Sequence, residues 1–216
     1  MHKEGCSTII VALAIVVITV VVLYVTGAPH WLSASLLVPE IVVSAIAINF
    51  FRYPNRTFKG DELHDVIAPS DGTIVTIEEV FEPDYFNDKR LQISIFMSLT
   101  NVHAQWCPLN GQVLKVLHED GRFKKAYLPK SSNENERSTI VIKSDAGPII
   151  MMRQVAGAMA RRIVTYINTG DKSEINSELG FIKFGSRIDL FLPLDAKVLV
   201  KMGERVKGNV TPIAKI

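Results

Sequence analysis

The uneven distribution of charge along this chain is the feature that most constrains its fold. Residues 1–51 carry three formally charged side chains, whereas the rest of the chain carries 23 Lys or Arg and 20 Asp or Glu. A segment so poor in charge is suited to a hydrocarbon environment, and the remainder has the mixed polarity of a water-soluble domain. The sequence therefore predicts two domains, an apolar one over residues 1–54 and a soluble one over residues 55–216.

The apolar domain is predicted to be a membrane-anchoring helical hairpin. Thr8–Val25 is an uncharged run of 18 residues, long enough to cross a hydrocarbon core as a helix. A second apolar stretch, Trp31–Phe51, follows closely, whereas a cleavable signal peptide has a shorter apolar centre and a small-residue cleavage site. Because Pro39 and Glu40 are costly next to lipid, the second segment is expected to be kinked, shallow or packed on the first. The alternative is a buried hairpin of a soluble protein, which the length of the first run disfavours.

Basic residues at both ends of the apolar domain set its expected orientation. Lys3 precedes the first segment, and Arg52, Arg56 and Lys59 follow the second. Because positively charged flanks stay on the cytoplasmic side, we expect both ends of the hairpin in the cytoplasm. The sequence therefore predicts a protein of the cell membrane whose soluble domain lies on the cytoplasmic face.

Charge and cysteine content narrow the range of partners and cofactors. The net charge of +2 is small, and basic and acidic residues are interspersed without a basic run, which does not favour a nucleic-acid partner. Cys6 and Cys107 form no disulfide framework, and no Cys/His cluster has the ligand spacing of a zinc site. We therefore expect a reducing compartment, no nucleic acid and no metal.

The soluble domain is predicted to be mainly β, as one compact antiparallel domain. Short runs such as Leu91–Met97, Ser138–Lys143 and Ile188–Leu192 are rich in β-forming residues and are separated by Gly, Pro, Asp and Asn. Asp71–Gly72 and Asn110–Gly111 each precede a β-rich run and are predicted to be hairpin turns. A domain of roughly 160 residues is consistent with a single core.

Two segments of the soluble domain are less well defined by periodicity. Gly157–Tyr166 fits either a short helix or a strand. Lys130–Arg137 is polar without a repeating pattern, so it is predicted to be a surface loop.

A Gly-Ser pair, Gly185–Ser186, interrupts a segment near the C-terminus that otherwise favours a strand, Gly180–Pro193. Glycine inside a strand usually marks a bulge, a sharp bend or a close backbone approach, and the spacing alone favours that structural explanation. The chemical alternative is that Ser186 Oγ attacks the carbonyl of Gly185, because glycine leaves that carbon open and the backbone free to distort.

Such an attack would convert the chain into two fragments and a cofactor. An ester replaces the amide, and elimination from it releases residues 1–185 with a new carboxylate. The dehydroalanine that remains hydrolyses to a pyruvoyl group at the start of residues 186–216. An amine substrate can form a Schiff base with the pyruvoyl ketone, which then accepts the electrons released with CO₂. The expected cofactor is therefore covalent pyruvate derived from Ser186, with no PLP.

Several motifs in the same order support the chemical alternative through a resemblance. Phe51–Arg56, Ala68–Gly72, Phe96–His103 and Gly180–Pro193 together resemble the phosphatidylserine decarboxylases, in their short bacterial and archaeal branch. The resemblance covers essentially the whole soluble domain, and the preceding apolar hairpin is similar too. It implies a lyase of phospholipid biosynthesis that decarboxylates phosphatidylserine to phosphatidylethanolamine. It also implies a self-cleaving zymogen whose beta chain (1–185) and alpha chain (186–216) stay together as a heterodimer.

The resemblance also implies roles for individual residues. Ser186 is the pyruvoyl precursor and Gly185 the cleavage partner. Asp71 is expected to orient or charge a base, and His103 to act as acid or base in cleavage or in protonating the product. Without the resemblance, Asp71 is typical of a turn and His103 of a core histidine. Longer-branch relatives carry a second histidine where this chain has Trp106, so either His103 has both functions or another group replaces that histidine.

The lipid head group offers a carboxylate and a phosphodiester, for which arginine is the natural bidentate partner. Arg187, next to Ser186, and Arg153 are the preferred candidates for substrate binding, and Arg161 and Arg162 are further ones. Taken individually, each of them is more typical of an ordinary surface charge than of a substrate ligand.

Two other functions are compatible with parts of the sequence. An archaetidylserine-type lipid decarboxylase would act on the same head group with the same catalytic residues. Lys201–Met202 is half of the Met-Lys-Met pattern of biotin carriers, which would make the chain a membrane-anchored biotinyl/lipoyl-like carrier or adaptor. The missing first methionine weakens the carrier function, although it leaves open a fold related to the barrel-sandwich hybrid. A soluble pyruvoyl decarboxylase of amino acids would not need the hairpin.

Overall fold

A computed structural model describes residues 1–121, 135–157, 162–183 and 185–216. The chain forms two compact units, Met1–Pro54 and Asn55–Ile216. The first contains two helices and the second consists of antiparallel strands, so the predicted fold class, mainly β with an N-terminal apolar helical hairpin, is confirmed.

The N-terminal unit is a pair of helices, α1 (Cys6–Thr26) and α2 (His30–Phe50). Helix α1 ends at Gly27, whose φ of +61° is the left-handed conformation that glycine adopts readily at a helix end. Both helices are long and apolar enough, by length and composition, to cross a membrane. Pro39 lies inside α2, which continues past it as one helix of 21 residues. Thr19 Oγ1 donates a hydrogen bond to Glu40 Oε1 at 2.9 Å, which links the two helices.

The second unit contains fourteen strands among its described residues. They are β1 (Asp65–Ile67), β2 (Gly72–Glu82), β3 (Asp88–Met97), β4 (Ala104–Trp106), β5 (Gly111–Glu119), β6 (Arg137–Ser144), β7 (Ile149–Ala156), β8 (Ile163–Thr165), β9 (Lys172–Ser173), β10 (Glu178–Ile182), β11 (Ser186–Leu192), β12 (Lys197–Val198), β13 (Arg205–Val206) and β14 (Pro212–Lys215).

These strands form one large and two small antiparallel sheets. The large sheet has the order β13-β2-β3-β11-β7-β6-β5-β9, and the small sheets have the orders β4-β10-β8 and β1-β14-β12. Strand β11 lies between β3 and β7, and all seven of its residues are buried. Its even-numbered residues from Ile188 onward belong to the main hydrophobic core, together with Met97 and Ala156 on the flanking strands. Strand β11, which begins at Ser186, is therefore buried on both faces near the centre of the large sheet.

The two predicted hairpin turns are wrong, although each does precede a strand. Strand β1 pairs with β14 rather than with β2, and β4 pairs with β10 rather than with β5. The two glycines serve close packing instead of turn formation. A Cβ on Gly72 would lie 2.4 Å from the Phe96 carbonyl oxygen, and one on Gly111 would lie 2.1 Å from that of Lys143. Glycine is needed there because the neighbouring strand's backbone occupies the space of a side chain.

The two segments that periodicity left less defined are partly described. Ile163–Thr165 is a strand, so the strand alternative applies to that part of Gly157–Tyr166, while residues 158–161 lie outside the described residues. Most of the predicted loop Lys130–Arg137 also lies outside them, and Arg137 itself begins β6.

Candidate active site

The Gly-Ser interruption is a bend at which the chain passes from one sheet to another. Strand β10 belongs to the sheet β4-β10-β8, and β11 belongs to the eight-stranded sheet. Between them Gly185 has a φ of +69°, with open space where a Cβ would project. Left-handed backbone of this kind is adopted readily by glycine and at a cost by residues with a side chain. The fold thus explains the glycine as a bend, with open space where a side chain would project.

The hydroxyl of Ser186 is buried without a hydrogen-bond partner. Ser186 is the first residue of β11, opposite Met97 on β3 and Ala156 on β7. Its side chain is fully buried, and its Oγ has no hydrogen-bond partner among the described residues. Leaving a buried polar group unpaired costs about 1–3 kcal/mol. Unpaired buried polar groups are uncommon in folded proteins, and a catalytic function is one of the reasons for which they are retained.

The backbone of Gly185 is held at both its N–H and its carbonyl. The Gly157 N–H donates to the Gly185 carbonyl oxygen at 3.0 Å. The Gly185 N–H in turn donates to His103 Nε2 at 3.4 Å. A carbonyl that already accepts a hydrogen bond is positioned for the negative charge that develops when a nucleophile adds to its carbon.

The tautomer of the His103 ring follows from one contact at each of its nitrogens. His103 is fully buried, and its Nδ1 lies 3.0 Å from the carbonyl oxygen of Asn101, which accepts a proton and offers none. Nδ1 therefore carries the hydrogen, and Nε2 presents its lone pair toward Gly185. The Asn101 side chain accepts hydrogen bonds from the backbone N–H (2.9 Å) and the hydroxyl (2.7 Å) of Ser98, which fixes the turn. The Phe96–His103 motif thus aims an unprotonated nitrogen at the Gly-Ser bend.

Asp71 belongs to a neighbouring cluster of its own. Arg56 binds its carboxylate with Nη1 and with Nη2, the latter at 3.0 Å from Oδ2, and the Gly208 N–H donates to Oδ1 at 2.9 Å. The Arg56 guanidinium carbon lies 5.7 Å from the centroid of the Trp106 ring. In the described part of the chain, the hydrogen bonds of Asp71 therefore run to Arg56 and Gly208. The structure brings His103, Gly185 and Ser186 together, and it pairs Asp71 with an arginine.

The two preferred arginines lie across the sheet from the Ser186 hydroxyl. Side chains alternate along a strand, so Arg187 is on the face opposite to Ser186 and Ile188. Arg187 Nε lies 2.8 Å from Asp189 Oδ1 on that face. Arg153 is in register with Asp189, and its guanidinium belongs to the same face. The sheet therefore separates both guanidinium groups from Ser186.

Arg153 anchors a turn on that opposite face. Its Nη2 lies 3.2 Å from Glu82 Oε1 and 2.7 Å from Asp84 Oδ2. Burial raises the pKa of Glu82, but hydrogen bonds from the backbone N–H groups of Phe86, Tyr85 and Asp84, together with the charge of Arg153, outweigh burial and lower that pKa.

Of the further arginine candidates, Arg161 lies outside the described residues and Arg162 is exposed.

A chain of buried polar side chains beside the bend was not identified from the sequence. Gln154 Nε2 donates to Gln105 Oε1, and Thr165 Oγ1 donates to Gln154 Oε1 at 2.8 Å. Ser138 Oγ lies 2.9 Å from Thr165 Oγ1. The available signal was polar residues at inward positions of apolar strands, with Gln105 two residues after His103. Among the described residues, no group of three or more His, Cys, Asp or Glu side chains is arranged to bind a metal.

Comparisons with known proteins test the resemblance that the sequence motifs indicated. Residues 43–214 match the family described as Phosphatidylserine decarboxylase. A protein of Parabacteroides distasonis is 50% identical over all of this chain and 98% of its own length. A protein of Phocaeicola vulgatus is 50% identical, covering all of this chain and 95% of its own length, and one of Cytophaga hutchinsonii is 44% identical, with 100% and 98% covered. All three are described as phosphatidylserine decarboxylase proenzymes, and the resemblance is confirmed: this chain belongs to the phosphatidylserine decarboxylase family.

Proposed function

We propose that this chain is a membrane-anchored proenzyme that cleaves itself between Gly185 and Ser186 and then decarboxylates phosphatidylserine to phosphatidylethanolamine. Membership of a decarboxylase family supports the reaction class, a carbon–carbon lyase. The observation that carries the proposal is the arrangement of one peptide: a carbonyl that accepts the Gly157 N–H, beside a buried hydroxyl without a partner and the lone pair of His103.

In the first step of self-cleavage, Ser186 Oγ attacks the Gly185 carbonyl carbon. The hydroxyl proton goes to His103 Nε2, the proposed base, and the carbonyl electrons move onto the oxygen that the Gly157 N–H contacts. The C–N bond to Ser186 then breaks, its nitrogen takes up the proton from His103, and an ester joins Gly185 to Ser186 Oγ. The product keeps every atom of the proenzyme, so the mass of the chain is unchanged at this stage.

In the second step, a base takes the Ser186 Cα proton, the electrons of that C–H bond form the Cα=Cβ double bond, and the Cβ–Oγ bond breaks. Gly185 leaves as the C-terminal carboxylate of residues 1–185, and Ser186 becomes dehydroalanine. Water then replaces the nitrogen, which departs as ammonia, so the C-terminal fragment begins with a pyruvoyl group. When formed, this group supplies the electrophile for the substrate's amine and a sink for the electrons released with CO₂. The proton that the product carbon then requires is proposed to come from His103 Nε2.

The sheet order supports retention of the small fragment as part of a heterodimer. Residues 186–216 supply β11, which is paired on both sides by β3 and β7 of the large fragment. They also supply β13, paired with β2, and β14, paired with β1. Cutting the backbone before Ser186 leaves all these ladders intact, so the two fragments are expected to stay together without a covalent link.

The two apolar helices support a membrane location, as expected for an enzyme that acts on a lipid. Both have the length and composition of membrane spans, and most of their side chains are exposed. Lys3 and Arg52 flank them, which favours a cytoplasmic position for the catalytic unit. An archaetidylserine-type substrate has the same head group, so the same residues would serve it. The carrier alternative has less support, because Lys201–Met202 lies between β12 and β13, which belong to different sheets.

The test of this function is intact-mass analysis with one substitution and one control. The wild-type protein should give residues 1–185 ending in a carboxylate and residues 186–216 beginning with a pyruvoyl group. Ser186→Ala should remain one chain and release no CO₂ from phosphatidylserine. Ser177→Ala, which changes an exposed serine of the same unit, should be cut and active. An uncut wild-type chain with full decarboxylase activity would refute the proposal.

A further inference from the structure

Four polar side chains, Ser138, Thr165, Gln154 and Gln105, form a hydrogen-bonded series that we call the glutamine relay. They come from strands β6, β8, β7 and β4, and Ser138, Gln154 and Gln105 are fully buried. The residues around them on these strands are mostly apolar. A polar series of this kind is costly unless every donor and acceptor is used.

The relay fixes which atom of Gln105 is left over. The Thr165 hydroxyl donates to Gln154 Oε1, so Gln154 directs its Nε2 toward Gln105 and donates to Oε1 there. The Gln105 amide therefore has its oxygen occupied and its nitrogen available. That nitrogen is shielded from solvent and has no acceptor among the described residues. A buried N–H donor that is oriented but unused is able to bind an acceptor that arrives with a ligand.

The unused donor lies beside the reactive bend. His103 directly precedes β4 and Gln105 is the second residue of that strand, so an extended backbone places the two side chains on the same side. His103 contacts Gly185, and Gln105 contacts Gln154. In the large sheet Ser186 is opposite Ala156, so Gln154 is its diagonal neighbour on the same face, about 7–8 Å away by the usual strand geometry. The relay and the serine therefore share one side of the sheet.

We propose that Gln105 Nε2 binds the carboxylate of the substrate's serine head group, with Gln154 and Thr165 as positioning residues. This inference rests on the proposed decarboxylase function. The carboxylate is the anionic acceptor that lies on the same carbon as the reacting amine, so it must come close to position 186. Arg187 and Arg153, the candidates suggested by charge alone, lie on the opposite face.

A neutral donor suits the reaction better than an arginine would. The carboxylate loses its charge as CO₂ departs, so a guanidinium would stabilise the bound substrate more than the transition state. Binding energy that is stronger in the ground state lowers the rate of the chemical step. The Gln105 amide orients the carboxylate with a single N–H contact. It therefore loses less interaction energy than an arginine would when the carboxylate loses its charge.

The test compares Gln105→Met with Gln112→Met, which removes an exposed glutamine of β5. Each full-length protein is purified in mixed micelles, its cleavage is measured by intact mass, and its kcat/KM for phosphatidylserine is determined. Cyanoborohydride is then used to trap the lipid amine on the small fragment, and the trapped mass is followed with phosphatidylserine or phosphatidylethanolamine. Phosphatidylethanolamine has the same amine and phosphate but no carboxylate.

Gln105→Met should be cut, and its kcat/KM should fall about 10- to 100-fold, since a hydrogen bond to a charged group is lost. Half-saturation of trapping should rise for phosphatidylserine and stay unchanged for phosphatidylethanolamine. Gln112→Met should match the wild type in every measurement. Equal changes for both lipids, or no change for either, would overturn the assignment of the carboxylate to Gln105.

A second variant, Thr165→Val, tests the same proposal if Gln105→Met does not fold. Thr165→Val breaks the relay away from the substrate and should raise half-saturation in the same lipid-specific way, by a smaller factor. If neither variant is cut, the relay is structural and the proposal is overturned. An uncut or inactive wild type would instead refute the proposed function, so the two failures are distinguishable.

Discussion

His103 is the proposed base of self-cleavage, and a pair of substitutions separates its chemistry from its hydrogen bond. His103→Gln can still accept the Gly185 N–H through its amide oxygen, but it cannot take up a proton at neutral pH. His103→Ala removes both. Because the ring is fully buried, alanine also leaves a cavity, whereas glutamine fills most of the space.

General-base catalysis typically contributes about 10²- to 10⁴-fold to a rate, so both variants should cleave more slowly by about that factor. The attack still has the Gly157 N–H at the carbonyl oxygen, so cleavage should remain measurable over long incubation. The two variants should have similar cleavage rates, while His103→Ala alone should lose thermal stability.

The assay follows freshly synthesised protein in micelles, with samples quenched over time and analysed by intact mass. The fraction of chains ending at Gly185 gives the cleavage rate, and melting temperature is measured on the Ser186→Ala background, where all chains are uncut. Cleavage of His103→Gln at the wild-type rate would show that the ring takes up no proton, and would leave only its hydrogen bond to Gly185.

Two further predictions concern charged clusters, one that contains Asp71 and one on the face of the sheet opposite Ser186. Asp71→Asn should lower the melting temperature of the Ser186→Ala proenzyme by about 2–10 °C, because Arg56 loses its anionic partner; slower cleavage of Asp71→Asn without a change in melting temperature would show that the carboxylate acts on the base instead. The pKa of Glu82 is lower in the folded state than in the unfolded state. The carboxylate therefore stabilises the fold at pH values above its unfolded-state pKa, and this stabilisation is lost as the pH falls through its folded-state pKa. Glu82→Gln should therefore reduce the fall in melting temperature between neutral and acidic pH, and an identical fall in both proteins would contradict this reasoning.

The broad fold was predictable because it depends on local patterns. Long apolar runs, of which the first is uncharged and the second contains Glu40, predicted α1 and α2, and alternating runs rich in β-branched residues predicted the strands. The functions of Gly72 and Gly111 were not predictable in the same way. Each glycine is required by a backbone carbonyl of a strand that is distant in sequence, and dipeptide statistics favour a turn for the same residues.

The position of Arg187 shows how adjacency in sequence misleads in a β protein. Its place directly after Ser186 made it a candidate ligand for the substrate. In a strand, successive side chains point to opposite faces, so the same adjacency puts its guanidinium on the far side of the sheet. Gln105, the proposed carboxylate ligand, was missed for the converse reason: its amide is oriented by Gln154, which is 49 residues away in sequence.

The surroundings of Trp106 bear on the proposal that one histidine serves as the base in this chain. Trp106 stands where the resemblance predicts the second histidine of longer relatives, and the Arg56 guanidinium, which binds the Asp71 carboxylate, lies 5.7 Å from the centroid of its ring. A protonated histidine beside that guanidinium would be disfavoured by like charge. His103 Nδ1 instead contacts the neutral carbonyl oxygen of Asn101 at 3.0 Å. In the proposed scheme each molecule is cleaved once, whereas decarboxylation must recur with every substrate, so a slow cleavage step is tolerable with a single histidine.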